Sequence, residues 1–168
     1  MLQGLINWLA RFMGKNSSGT VTRTADTEAY AALDVISTAE GEVITFATVA
    51  TTPASQLHIS RVKMRIDIAA VPAGMDGFRL HLYNASPTAI ADNVAYNLPA
   101  GDRAKYLGYI TLNAPVDLGA TLWSETDCDF TAQLATGSTS VYGLLQTLAA
   151  YTPSSADLFT IGLTTTGV

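Results

Sequence analysis

The sequence predicts an all-β protein: an antiparallel β-sandwich, jelly-roll-like, preceded by a short N-terminal amphipathic helix. Three observations lead there. Within Gln56 to Tyr83, apolar and polar residues alternate strictly from Val62 to Ile68 and again from Phe78 to Tyr83, which places them on opposite faces of pleated strands. Short runs rich in Val, Ile, Thr and aromatic residues recur between Gly- and Pro-bearing turns to the end of the chain. Outside the first residues, helical spacing is almost absent.

Met1 to Met13 has that helical spacing. Leu2, Leu5, Ile6, Leu9, Phe12 and Met13 share one stripe, Trp8 sits at its edge, and Gln3, Asn7 and Arg11 lie opposite. Gly14 is a stop signal, and Lys15 suits the negative helix end. Such a helix is about 20 Å long, too short for a bilayer core of about 30 Å. It lacks the basic start and clean cleavage site of a signal peptide. Three readings stay open: it packs on its own domain, docks on a partner chain, or lies in a membrane interface. Asn16-Ser-Ser-Gly19 reads as a linker and favours a projecting arm. The predicted organisation is an arm over 1–15, a linker over 16–19 and a β-sandwich domain over 20–168.

Within the domain, Thr20 to Thr24 and Asp34 to Ser37 read as short strands, and Glu42 to Val49 as a clear one. The long stretch reads as a central antiparallel ribbon. Leu57, Ile59, Val62, Met64, Ile66 and Ile68 line one strand; Phe78, Leu80 and Leu82 line the other, beyond a turn-rich Val71 to Gly77. Asn84 to Ala104 is polar. Tyr106–Leu112, Ala120–Ser124, Cys128–Leu134 and Leu158–Thr165 read as strands. Ser140–Ala150 fits a helix by spacing, but Tyr142-Gly143 and its strand neighbours favour a buried strand.

Composition narrows the function. At 168 residues the chain suits one domain with a short appendage and can bury roughly two-thirds of its unfolded surface. The single cysteine, Cys128, allows no internal disulfide and no Cys-rich zinc site. Charged residues are 14% of the chain, against a usual share of about 25%. So sparse an ionic coat suggests a surface largely buried against other chains, since interface cores are depleted in charge. Up to Arg23 the charges are the bases Arg11, Lys15 and Arg23; beyond it 14 acids stand against six bases. A basic arm on an acidic body suggests an acidic neighbour, such as another copy, and argues against nucleic acid.

Catalytic signatures are missing: no phosphate loop, GxGxxG, GxSxG or HExxH occurs, so no enzyme activity and no cofactor is expected. His58 and His81 share a face if their strands pair, but two histidines are a weak metal signal. Glu125, Asp127 and Asp129 read as a solvated strand end rather than a calcium loop. Asp92-Asn93 and Asp102 read as turn formers before ligands. Tyr83, Tyr96, Tyr106, Tyr109, Tyr142 and Tyr151 with Trp123 offer a sugar-stacking platform, though strand aromatics more often pack in the core.

Several segments, in order, resemble a family of small tailed-phage virion proteins. They are Thr22-Arg-Thr-Ala-Asp-Thr-Glu-Ala-Tyr30 with Asp34-Val-Ile36; Leu80-His-Leu-Tyr-Asn84; Asp92-Asn-Val-Ala-Tyr96; Tyr106-Leu-Gly-Tyr-Ile110; Tyr142-Gly-Leu-Leu145; and Tyr151-Thr-Pro153. The resemblance covers Val21 to the end and leaves the helix out. It implies a β-sandwich capsid decoration, or cement, protein that sits on a shell of major capsid protein, often as a trimer. The chain would be made in the host cytoplasm and reside on the capsid surface. Leu2, Leu5, Ile6, Trp8, Leu9, Phe12 and Met13 are then the expected partner-binding residues. The rivals are a head-fibre or tail-associated glycan- or receptor-binding module, and a membrane-surface protein.

Overall fold

The computed structural model describes residues 14–53 and 55–167. The chain there forms β1 (Lys15–Thr22), β2 (Val35–Ile36), β3 (Ile44–Phe46), β4 (Gln56–Ile66), β5 (Phe78–Tyr83), β6 (Tyr106–Leu112), β7 (Val116–Asp117), β8 (Leu122–Gln133), β9 (Val141–Thr147) and β10 (Leu158–Gly167). A single 3-10 turn, Ala100–Asp102, is the only helical element among the described residues. The expected helix over 1–13 lies outside them.

Two sheets form the body, one ordered β1-β10-β4-β8-β7 and the other β2-β9-β5-β6, with β3 sharing an edge of β9. Every pairing is antiparallel, and the pairs nest: β5 with β6, β4 with β8, β2 with β9, β1 with β10. Each pair encloses the one before it, and successive pairs fall alternately in the two sheets. The chain is thus one long ribbon, doubled back after β5 and rolled up, which is a jelly roll.

This topology corrects the ribbon expected from Gln56 to Tyr83. β4 and β5 are both strands, but they lie in opposite sheets and do not pair. Alternation tells which face of a strand is buried; it is silent about the partner. In a roll, strands flanking a corner belong to different layers. The segment 67–77 is that corner, with Met75 N donating to Pro72 O at 3.0 Å. Across the interface Phe78 meets Phe159 edge to face, centroids 6.0 Å apart.

The pattern within β4 also has a cause. Leu57 and Ile59 are out of phase with Val62, Met64 and Ile66, yet all five are buried. A register shift between Ile59 and Arg61 against β8, matched by one between Thr164 and Thr165 against β10, restores the phase. One extra residue in a bulge is how a strand keeps one face inward across such a slip. Ala120–Ser124 and Cys128–Leu134, expected as separate strands, merge into the continuous β8, and β7 was not anticipated.

Asn16–Gly19, expected as a linker, lies inside β1 and pairs with Thr164 to Ile161. Its Ser and Gly content serves close packing instead. Ser17 Oγ donates to Ala47 O at 2.6 Å. At the far side of the same sheet, Asn113 N donates to Thr126 Oγ1 at 3.0 Å and Ser124 Oγ to Asn113 O at 2.7 Å. Each margin of the sheet is thereby tied to a neighbouring segment.

Arg23, counted above with a basic arm, belongs to the body: it is 2% exposed. Its Nη2 lies 2.8 Å from Asp26 Oδ1 and 3.3 Å from Asp92 Oδ2, and its Nε donates to Tyr30 Oη at 3.1 Å. Tyr30 Oη in turn donates to Asp92 Oδ1 at 2.6 Å, which also accepts from Ser37 N at 3.0 Å. Burial opposes the guanidinium charge, but these partners outweigh it and raise its pKa. Asp92 is therefore the knot that ties four separate segments, not a turn former alone.

Two expectations follow. A Cβ on Gly19 would sit 2.5 Å from Ile44 Cγ2 and 2.9 Å from Thr45 O. Gly19→Ala should lower stability by about 1–3 kcal/mol in chemical denaturation, where a true linker would be indifferent. Arg23→Met should cost about 3 kcal/mol, because it strips a buried carboxylate of its counter-charge.

Candidate functional site

The outer face of the first sheet carries the candidate site. Pairing places its residues in rows across the strands. Ser18, Gly162, Lys63 and Glu125 form one row; Thr20, Thr160, Arg65 and Trp123 the next; Asn16, Thr164, Arg61 and Asp127 the third. Along the strands, the columns differ in chemistry. β1 and β10 present hydroxyls, an amide and a glycine; β4 presents cations; β8 presents acids and, beside Arg65, Trp123.

The acid column partly neutralises the cation column. Arg61 reaches Glu125 at 3.0 Å and Asp127 at 2.7 Å, and His58 Nε2 lies 2.9 Å from Asp129 Oδ1. Arg65 instead pairs with Asp67 at 2.8 Å. Lys63 is the loosest: its Nζ stands 3.9 Å from Glu125 Oε2, beyond hydrogen-bond reach. These pairs are exposed and contribute little to stability, so their order is a property of the surface rather than a staple.

On the neutral side of the cations lies a trough. Two adjoining depressions of about 240 and 180 Å³ share Ser18, Lys63 and Gly162. The larger extends along Asn16, Ser17, Leu163 and Thr164; the smaller reaches Arg65, Thr160 and Trp123. Its floor is open because Gly162 has no side chain. The other interior strand glycines have local reasons: a Cβ on Gly143 would press on Leu80 Cδ1 at 3.0 Å, and Gly108 has φ +125°. At Gly162 a Cβ would meet nothing closer than Lys63 Cβ at 3.9 Å. A glycine inside a strand costs about 0.5–1 kcal/mol against a residue with a side chain, and packing does not explain this one.

The residues singled out from the sequence are dispersed. Leu2, Leu5, Ile6, Trp8, Leu9, Phe12 and Met13 lie outside the described residues. His58 and His81 stand on different sheets, and no cluster of three metal-ligating side chains exists among the described residues. Glu125, Asp127 and Asp129 are mid-strand rather than at a strand end. Asp102 accepts from Thr88 N and from Lys105 Nζ, both at 2.8 Å. The lysine holds its carboxyl down at about 2. Burial raises the pKa of Cys128, and its thiol donates to Ile59 O, which disfavours the thiolate. The trough residues Ser18, Thr160 and Gly162 escaped the sequence reading. Their one signal was a run of small outward positions, Thr160, Gly162 and Thr164, in a chain otherwise alternating with large residues.

The tyrosines divide. Tyr30 and Tyr151 are buried against each other, centroids 5.2 Å apart. Tyr83, Tyr96, Tyr106 and Tyr109 gather around His81 on the outer face of the second sheet, where the segment after β5 folds back over it. Tyr96 stacks on His81 at 3.6 Å, and Tyr83 and Tyr96 hydroxyls meet at 2.8 Å. Gln146 Nε2 donates to Leu33 O at 2.9 Å, which fixes the amide. Its Oε1 then accepts from His81 Nε2 at 3.1 Å, leaving Nδ1 to accept from Tyr106 Oη at 3.0 Å. With burial first and Arg79 adding to it, the imidazole pKa falls to about 4. This is a satisfied, neutral core histidine. Tyr83, Tyr96 and Tyr106 are spent on packing it; Tyr109, 51% exposed, and Trp123, on the outer face of the other sheet, are the outward members.

No family model matches the sequence, and no curated protein matches it. Among solved structures, an empty capsid chain of Triatoma virus is similar at TM-score 0.35 and 10% identity, covering 95% of this chain and 89% of its own. A capsid chain of cyanophage Pam1 is similar at TM-score 0.36 and 17% identity, with 94% and 86% covered. A CBM35 from Cellvibrio japonicus Abf62 is similar at TM-score 0.35 and 12% identity, with 89% and 92% covered. Virus particles recur among the similar structures.

The buried imidazole makes a pH test. The unfolded chain takes up a proton near pH 6.5 and the folded chain only near 4, so the unfolded state binds more protons in between. Stability contributed by neutral His81 is whole above pH 6.5 and is lost as pH falls toward 4. In an NMR titration of the two histidines, His81 should hold its neutral signature down to about pH 5. A His81 signal that protonates near 6.5 would contradict the packing described.

Proposed function

We propose that this chain is a phage virion structural protein that decorates a shell of major capsid protein and stabilises it without catalysing a reaction. The observation that carries the reading is how the resembling segments converge in space. Arg23, Asp26 and Tyr30 from the first segment meet Asp92 from another, and Tyr151 from a third packs on Tyr30. His81, Tyr83, Tyr96 and Tyr106, from three segments, form the second cluster. Motifs scattered along the chain act as two locks on one rigid body, which is what a scaffold needs and a loop-borne active site does not.

The surface chemistry supports the same reading. Charge is scarce, and Leu33, Val94, Val116 and Leu118 stand between 46% and 61% exposed. Such residues are unremarkable singly but suit many small contacts. Repeated on a lattice, weak contacts give strong avidity without a tight single site. The jelly roll itself recurs in capsid proteins and lectins, so the fold permits the role without dictating it.

In this reading the arm Leu2 to Met13 reaches the capsid, and the bodies associate as a trimer on its outer surface. The test is co-sedimentation of the full chain with assembled shells of the cognate major capsid protein, with light scattering on the free chain. Saturable binding is expected, with occupancy falling at least tenfold when residues 2–13 are deleted. A chain that stays monomeric and never sediments with the shells refutes the proposal; undiminished binding after deletion removes the arm from it.

A further inference from the structure

We propose that the trough across β10 binds a short anionic saccharide, its carboxylate against Lys63 and Arg65 and its ring carbons against Trp123. This goes beyond a structural role and gives the decorated surface a ligand of its own.

Three features point to that chemistry. First, the lining combines what sugars require: an aromatic surface in Trp123, hydroxyls in Ser18, Thr160 and Thr164, and an amide in Asn16. Second, the electrostatics are one-sided. Toward β8, Arg61 and Lys63 face acids while Arg65 faces Trp123 and pairs with Asp67; toward β10 all three meet only neutral groups. Lys63 has three N–H donors and no hydrogen bond among the described residues, with Glu125 3.9 Å away. A carboxylate in the trough would complete its coordination, whereas a second cation or a neutral apolar ligand would leave it unmet. Third, the space is preserved at a position that could be filled. Gly162 has ordinary backbone geometry and open surroundings, in a central strand where a β-branched residue would be favoured. The extent also fits. Thr160 to Thr164 spans about 13 Å along the strand, and Ser18 to Lys63 spans about 10 Å across it. That is room for two sugar rings.

A peptide is the weaker occupant. The trough offers side chains and no free strand edge, because β10 is paired on both sides. An extended peptide would find no main-chain partners there.

The experiment is an NMR and calorimetric titration of the full chain with a hyaluronan tetrasaccharide, which carries glucuronate, and with neutral chitotetraose. The expected result is saturable binding of the hyaluronan fragment, shifting the Trp123 indole and Gly162 amide signals. Chitotetraose should bind at least tenfold more weakly, the loss of one charge-assisted contact. Gly162→Val should abolish binding while keeping or raising the melting temperature, and Lys63→Met should weaken it about tenfold with the melt unchanged. Failure of the hyaluronan fragment to bind overturns the proposal, as does chitotetraose binding equally well, or a Gly162→Val chain that melts normally and still binds. If Gly162→Val loses shell binding while neither sugar binds the parent, the trough is a protein contact and the saccharide assignment fails, with the capsid reading intact.

Discussion

The insertion of β10 between β1 and β4 is the constraint on which the rest of the structure depends. The last strand closes the first sheet across the longest sequence separation in the fold, pairing Thr22 with Leu158 and Lys15 with Thr165. Its inward residues Phe159, Ile161 and Leu163 are buried. Its outward residues Thr160, Gly162 and Thr164 make the floor of the trough. Without it, β1 has no partner in its own sheet and the cations of β4 have no neutral flank. Core and candidate site are therefore made by the same ten residues seen from two sides. A fold that must wait for its last strand has high contact order, and such rolls are expected to fold slowly.

A second constraint follows from the scarcity of charge. The few ionic groups divide into two uses. Arg23, Asp92 and Asp102 are withdrawn from solvent and hold loops to the body; each has well-placed partners, as a buried charge requires. The rest of the organised charge lies on one sheet face, in a cation column beside an acid column. Elsewhere single charges such as Glu28, Glu40, Asp76 and Arg103 stand among hydroxyls, small residues and isolated apolar side chains. The net charge of −5 is thus carried by few groups and not by a dense ionic coat.

The sequence made the layers legible and left the connections hidden. Val62 to Ile66 and Phe78 to Leu82 announced buried faces, because period-two alternation reports burial directly. That they belong to different sheets was not readable, since pairing is decided by nested long-range registers that leave no local mark. The linker at Asn16–Gly19 failed for a related reason: Ser and Gly lower local stiffness, but here they allow β1 to approach Ile44 and Ala47. Arg23 looked like arm charge because sequence order hides its burial by Tyr30 and Asp92. Lys63 and Arg65 were visible as an outward charged face. Gly162 was visible as a glycine, but its meaning required knowing that no neighbour crowds it.

The sheet margins bear on how such a body can join a larger assembly. A β-sandwich with open edge strands can extend its sheet onto a neighbour, and that gives strong, continuous main-chain bonding. Here β1 is tied to the β3 side by Ser17 and β8 to the segment before β7 by Asn113. A sandwich can also make contacts through its faces and loops. Contacts of those kinds are side-chain contacts, individually modest, and they become decisive when a lattice repeats them. The outer face of β10 and β4 is of that kind: β10 is paired on both sides, so anything meeting this face meets its rows of side chains and not a strand edge.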